Sequence, residues 1–296
     1  MGSPSTEPQT LPSPEVLSRD NFELLLRRIA DDIAFGTDDS IFVGSGLEYA
    51  QSRPYEPGDP VRQIDWKVTA RMPVAYVKQH ETLKRLAMYL VVDTSASMQV
   101  TSTSLSKQAL ALWISGALGL VALRRLSPVS VISGGSRYQR LKKQETASLS
   151  PDDLWRNLEP LRSGDVDEKT ELSQRLDSLT IQLRERSVIV VLSDLHDSEV
   201  LDSLKRLGPQ HDVIVIHLQD PAETGDLGAG YFLGSEAESG QRFLAKSKQR
   251  WVHDAGVERR LAGGDISYLR LRTDQSFVSP LRYFLLTRIA LMRGQR

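Results

Sequence analysis

Asp93, Ser95 and Ser97 stand at alternating positions directly after an apolar run, Leu86 to Val92. A carboxylate and two hydroxyls are hard oxygen donors, the kind that suit Mg²⁺ or a similar divalent cation such as Mn²⁺ or Ca²⁺. The apolar run reads as a buried strand, which delivers all three oxygens to one strand end. A second apolar run, Val188 to Leu192, ends in Ser193, Asp194, Leu195, His196 and Asp197. Open α/β sheets bind ligands beyond the carboxyl ends of their strands, where the strand order reverses. If the two runs are neighbours at that point, Asp93 and Asp194 converge on one site. Thr170 is a third candidate, in the segment Lys169, Thr170, Glu171, Leu172 ahead of a helical pattern through Leu176, Leu179 and Leu183. Its hydroxyl is either an N-cap or a metal ligand. Ser95 and Ser97 have the same two readings, and Asp194 has a plainer one as a solvated strand-end acid.

Catalytic chemistry is less well supplied. A phosphatase-type nucleophilic Asp is usually followed by another Asp two residues on, and Ser95 holds that place. Ser97 lacks the Gly-x-Ser-x-Gly elbow of an acyl-transfer nucleophile. His80, His196, His211, His217 and His253 show no His-Glu-x-x-His spacing. His217 falls within an apolar run and reads as core, which leaves His196 as the only candidate base. The chain has no cysteine, so disulfides, thiolate zinc sites and Cys nucleophiles are excluded, and a reducing compartment suits it. The reading is therefore of a protein that is not an enzyme, with a metal-dependent, phosphatase-like hydrolase using Asp93 as the alternative.

The elements that must position these residues alternate. Apolar strand candidates lie at 87–92, 129–133, 188–193, 212–218 and 266–271. Helical patterns lie between them at 105–126, 151–161, 171–185, 198–207 and 243–262, with a last helix at 280–293. This order argues for an α/β fold with a doubly wound, mostly parallel sheet of Rossmann type. Residues 137–143 read as an added edge strand, and 219–242 as an irregular insertion or hairpin. Ahead of the sheet, Val16, Leu17, Phe22, Leu25, Leu26, Ile29 and Ile33 mark an amphipathic helix, and strands at 41–43 and 75–77 flank a stretch rich in Pro, Gly and Arg. The organisation is thus a disordered tail at 1–15, a helix and small β-rich module at 16–85, and the α/β domain at 86–296.

Length and composition are those of a globular protein: 296 residues, 40% hydrophobic, 25% charged. A net charge of −1 gives no global reason to expect nucleic acid, and no basic, aromatic-interleaved patch supports RNA binding. The N-terminal tail has no apolar signal-peptide core, although Gly2 and Thr6 match a minimal myristoylation pattern. The apolar run Ala109 to Leu123 is about 15 residues, short of the roughly 20 that span a bilayer, so it reads as a buried helix rather than a membrane insertion. A cytoplasmic location is expected.

A second signature lies upstream. Arg53, Pro54, Tyr55, Glu56, Pro57, Gly58 and Asp59 lead to Arg62, Gln63, Ile64, Asp65 and Trp66, with Arg71 beyond. Pro57, Gly58 and Asp59 form a turn signal. Arg53, Arg62 and Arg71 interleave with Asp59 and Asp65, so guanidinium–carboxylate pairs can either lock the module or shape a docking surface. Trp66 is expected to anchor the module on the sheet.

Two resemblances follow from these residues. Asp93, Ser95, Ser97, Thr170 and Asp194 resemble the metal-ion-dependent adhesion site of von Willebrand factor A domains. That likeness implies one divalent ion, Mg²⁺ first, with a coordination position left for a partner's carboxylate. Lys169 departs from the glycine that family often has before this Thr. The Arg53 to Trp66 signature, with Tyr55, Gly58, Asp59, Arg62 and Asp65, resembles that of the bacterial family called domain of unknown function 58. The likeness covers about residues 20 to 296. It implies a von Willebrand A-like domain and work beside a MoxR-type AAA+ ATPase in chaperone-like maturation or stress response, the partner being that ATPase or its client.

Overall fold

The computed structural model describes residues 11–35, 49–59, 61, 64–80, 85–135, 147–163, 169–224, 231–235, 242–246, 254–261 and 266–294. The elements run α1 (Arg19–Ala34), β1 (Tyr49–Pro54), α2 (Trp66–Thr69), β2 (Tyr76–His80), β3 (Met88–Val92), α3 (Lys107–Arg124), β4 (Val129–Ser133), α4 (Pro151–Leu158) and α5 (Leu172–Gln182). They continue β5 (Val188–Ser193), α6 (Ser198–Leu207), β6 (Asp212–Gln219), α7 (Pro221–Thr224), β7 (Tyr231–Ser235), β8 (Arg242–Lys246), α8 (Asp254–Leu261), β9 (Ile266–Arg272) and α9 (Val278–Gly294).

Five strands form one parallel sheet in the order β4-β3-β5-β6-β9. Their side chains alternate between two cores. Leu90, Val92, Val190, Leu192, Ile214 and Ile216 face a core shared with α1, α3, α4 and α9. Tyr89, Val91, Ile189, Val191, Val213 and Val215 face a core shared with α5, α6 and α8. Helices on both faces explain why these strands are apolar throughout rather than alternating in sequence. The fold is α/β and doubly wound, as the alternating pattern predicts.

α3 is the central helix, with every residue from Lys107 to Leu123 buried. Two glycines let its neighbours approach: a Cβ at Gly116 would meet the Leu26 side chain at 2.7 Å, and one at Gly119 would meet Leu154 at 2.8 Å. Its apolar length is therefore explained by burial among protein, and no helix among the described residues is long and apolar enough to cross a membrane.

α1 buries Phe22, Leu26, Ile29, Ala30 and Ile33 in the core beside α3. Phe22 packs on Trp113 at 4.8 Å between ring centroids and on Trp155 at 6.2 Å. Residues 11–15, read by composition as tail, lie along this core: Pro14 is buried, and Trp113 Nε1 donates to the Pro12 carbonyl at 3.1 Å.

The small β module is an antiparallel pair, β1 with β2. β1 occupies the Pro/Gly/Arg-rich stretch, where no strand is expected from pattern. Asp65 caps α2 through the N–H groups of Lys67 and Val68 and accepts the Ser52 hydroxyl at 3.2 Å. This turns Trp66 outward, and it is 68% exposed, so it does not anchor the module on the sheet. A second correction concerns the helix read over 243–262. Its first part is strand β8, paired antiparallel with β7, and among the described residues of that span the helix is Asp254–Leu261. Cross-strand pairing of Phe232 with Ala245 and Leu233 with Leu244 overrides a spacing that also fits a helix. The expected strands at 41–43 and 137–143, together with Arg62 and His253, lie outside the described residues.

Candidate metal centre

β3 and β5 are in-register parallel neighbours, with Val92 opposite Leu192. β4, the next sheet strand in the chain after β3, lies on the other side of β3. The chain leaves β3 for α3 on one face and β5 for α6 on the other, so the strand-order reversal opens a crevice between these two strand ends.

Asp93 sits at the end of β3, only 3% exposed. Its Oδ1 accepts the Ser95 N–H at 3.0 Å, and its Oδ2 accepts the Ser193 hydroxyl at 2.6 Å. The Ser193 hydroxyl also accepts the Leu195 N–H at 2.9 Å. Leu195 has φ 54°, a left-handed conformation that costs a residue with a side chain on the order of 1 kcal/mol or more. The chain thus turns sharply just past Asp194.

Ser95 and Ser97 are not spent on capping. Ser95 precedes a short 3-10 turn, Ala96–Gln99, without giving it a side-chain cap bond, and α3 is capped by Ser106. The two hydroxyls instead face each other at 3.0 Å. The Ser97 hydroxyl lies close enough to Asp194 to help lower its pKa. Asp93, Ser95, Ser97 and Asp194 are therefore one connected group. Ser97 is its one partly exposed member, and His196 beside it is exposed, so solvent reaches the group from that side.

Thr170 stands at the rim. Its backbone bridges Gly135 just beyond β4, and its hydroxyl accepts the Leu172 N–H at 3.4 Å, while Glu171 is the N-cap residue of α5. The loop is tied to the centre through Gly134, where an added Cβ would lie 3.3 Å from the Asp93 Cα.

Lys107, absent from the sequence-based site, is the largest addition. Its side chain is 0% exposed, and Nζ donates to Asp194 Oδ2 at 2.7 Å and also to Glu223. Burial opposes its charge, but Asp194 and Glu223 outweigh burial and hold its pKa above the ordinary lysine value. Burial likewise pushes Asp194 up, yet the Lys107 ammonium and His196 pull its pKa down to about 2. Glu223 comes from α7, where its other oxygen accepts the Asp220 N–H at 3.1 Å. One oxygen of Glu223 lies 3.8 Å from His196 Nε2, and ligand atoms of Asp194, His196 and Glu223 lie within 4.8 Å of one another. The sequence signal for Lys107 was a lone charge at the mouth of an apolar helix, which also reads as a boundary.

The group fits a hard divalent cation by two tests. Its donors are oxygens throughout. Two of them are buried carboxylates, Asp93 at 3% and Asp194 at 2% exposed, and burial, then the nearby Asp194 charge, raises Asp93 to about 6. Such an ion could be held by Asp93, Ser95, Ser97 and Asp194, with the Thr170 loop nearby.

The upstream signature forms a separate cluster. Arg53 grips Asp59 with two hydrogen bonds of 2.8 and 2.6 Å, and the Asp59 carboxylate also accepts the Glu56 N–H at 3.0 Å. The hydrogen bonds from Arg53 and from the Glu56 backbone lower the pKa of Asp59. Gly58, at φ 115°, supplies the left-handed turn between them. Tyr55, Trp66 and Arg71 are exposed.

Fold and site together define a doubly wound α/β protein with a cluster of hard oxygen donors at its topological switch point. Among such proteins, this chain belongs to the family described as Protein of unknown function DUF58, which matches residues 51–256. Similar curated proteins are an uncharacterized protein of Mycobacterium bovis and uncharacterized proteins from two strains of Mycobacterium tuberculosis. Each is 27% identical over 279 residues, covering 90% of this chain and 87% of the relative. No solved structure matches the chain.

Proposed function

We propose that this chain is a metal-dependent protein-binding module built on a von Willebrand A-like domain. A single divalent cation, Mg²⁺ first, is held by Asp93, Ser95, Ser97 and Asp194 with help from Thr170. The ion's remaining position accepts a carboxylate from a partner protein. The observation that carries this reading is that Ser95 and Ser97 leave capping to Ser106 and face one another beside two buried carboxylates. A Mg²⁺ ion keeps exchangeable positions, which suits docking. A cytoplasmic adaptor role beside a MoxR-type AAA+ ATPase is the partner assignment, and it rests on the family resemblance alone.

Phosphoryl transfer at Asp93 is the weaker reading. The place two residues beyond Asp93, where a nucleophilic Asp of that kind usually has a second Asp, is held by Ser95. The test is a pull-down with tagged full-length chain, comparing wild type in Mg²⁺, wild type in EDTA, and Asp93→Ala in Mg²⁺. The proposal expects a partner retained only in the first. The same partner held equally in all three would overturn it.

A further inference from the structure

Lys107 is a permanent cation inside the donor cluster, and the docking function above does not use it. Its ammonium lies between Asp194 and Glu223, the two carboxylates that, with His196, make a metal-ligating set by residue type and distance. Asp194 meets Lys107 through Oδ2 at 2.7 Å and also lies beside Ser97 of the oxygen cluster. The charges add simply. Asp93, Asp194 and Glu223 contribute three negative charges and Lys107 one positive, which leaves two to be balanced, the charge of one divalent ion.

We propose that Lys107 determines the metal capacity of the site. The resident ammonium fills the place between Asp194 and Glu223, so the cluster takes one exchangeable divalent ion, at Asp93, Ser95, Ser97 and Asp194. This inference rests on the metal reading given above and adds a specificity-determining residue to it. A fully ionised cluster without Lys107 would carry an excess negative charge on that ion. The ion would be held tighter and would draw an outside carboxylate less strongly. Lys107 therefore trades affinity for the metal against affinity for an acidic partner. Glu223 acts in the opposite sense, because it offsets part of the charge of Lys107.

The two side chains thus predict opposite shifts for a simple probe, Mn²⁺ alone, titrated calorimetrically into the full-length chain. Removing the positive charge with Lys107→Met is expected to tighten Mn²⁺ about tenfold or more, and removing the negative charge with Glu223→Gln to weaken it by a similar factor. A merely structural role would weaken binding in both variants. If wild type binds and Lys107→Met binds equally or more weakly while Glu223→Gln is unchanged, the inference is overturned and the metal reading stands. If Lys107→Met does not fold, Glu223→Gln is set against Glu223→Asp, which keeps the charge: Mn²⁺ binding weakened in the Gln variant and kept in the Asp variant supports the inference, and binding weakened equally in both or in neither overturns it. Binding by Lys107→Met with none by wild type would uphold Lys107 as the resident cation and sink the docking function. Binding by neither removes both.

Discussion

Asp93 and Asp194 share one buried crevice yet are pushed in opposite directions: burial and the charge of Asp194 raise Asp93, while burial of Asp194 is outweighed by Lys107, which keeps it ionised. The folded-state pKa of Asp93, about 6, lies above its unfolded value near 3.8. Between those two values the metal-free fold binds more protons than the unfolded chain, so this group makes stability fall as pH rises. Above about pH 6 the ionised Asp93 is a standing cost that a divalent ion relieves. The gain in melting temperature produced by Mg²⁺ is therefore expected to be small at about pH 5 and full above about pH 7. Asp93→Asn should remove both the gain and its pH dependence. A gain of equal size at both pH values would contradict the assignment of Asp93 as a ligand. Asp93, Asp194 and the two serines were legible because strand-end position and oxygen chemistry both appear in sequence. Lys107 and Glu223 were not, since one opens an apolar helix and the other sits in a Gly- and acid-rich stretch, and only the fold brings them together.

α1 sets much of how α3 is held. Phe22 is 1% exposed and is enclosed by Trp113, Trp155 and the guanidinium of Arg162, 5.2 Å from its ring centroid. Arg162 also donates to the Pro14 carbonyl at 2.8 Å, tying the start of the chain to the turn after α4. Truncation by Phe22→Ala removes a large buried ring from between two indoles and is expected to cost about 3–5 kcal/mol. Urea denaturation of the full chain would measure it, and a loss below about 1 kcal/mol would show that α1 is not integral to this core. The amphipathic spacing of α1 was plain in sequence, but its partner was not. Periodicity says that a face is buried and not what buries it. The same limit explains β8, whose short apolar run fits either a strand or the start of a helix until β7 pairs with it.

At the scale of the molecule, the sheet order places the crevice. Alternating apolar runs and helical patterns made the doubly wound class readable, and the neighbouring of β3 and β5 followed the expected reversal. The arrangement of the upstream module was less readable, because Asp65 turns Trp66 outward through local capping that hydropathy does not register. The central claim is that the folded crevice, and not the unfolded chain, binds a divalent ion. A ligand with that property stabilises the fold by about 2.7 kcal/mol at a hundredfold excess over its Kd. The most direct measurement is the melting temperature of the full chain near neutral pH, in EDTA and in millimolar Mg²⁺, for wild type and for a Ser95→Ala, Ser97→Ala double variant. We predict a rise on the order of 5 °C for wild type and none for the double variant. Identical melting of wild type in EDTA and Mg²⁺, or an equal rise in the double variant, would contradict the account.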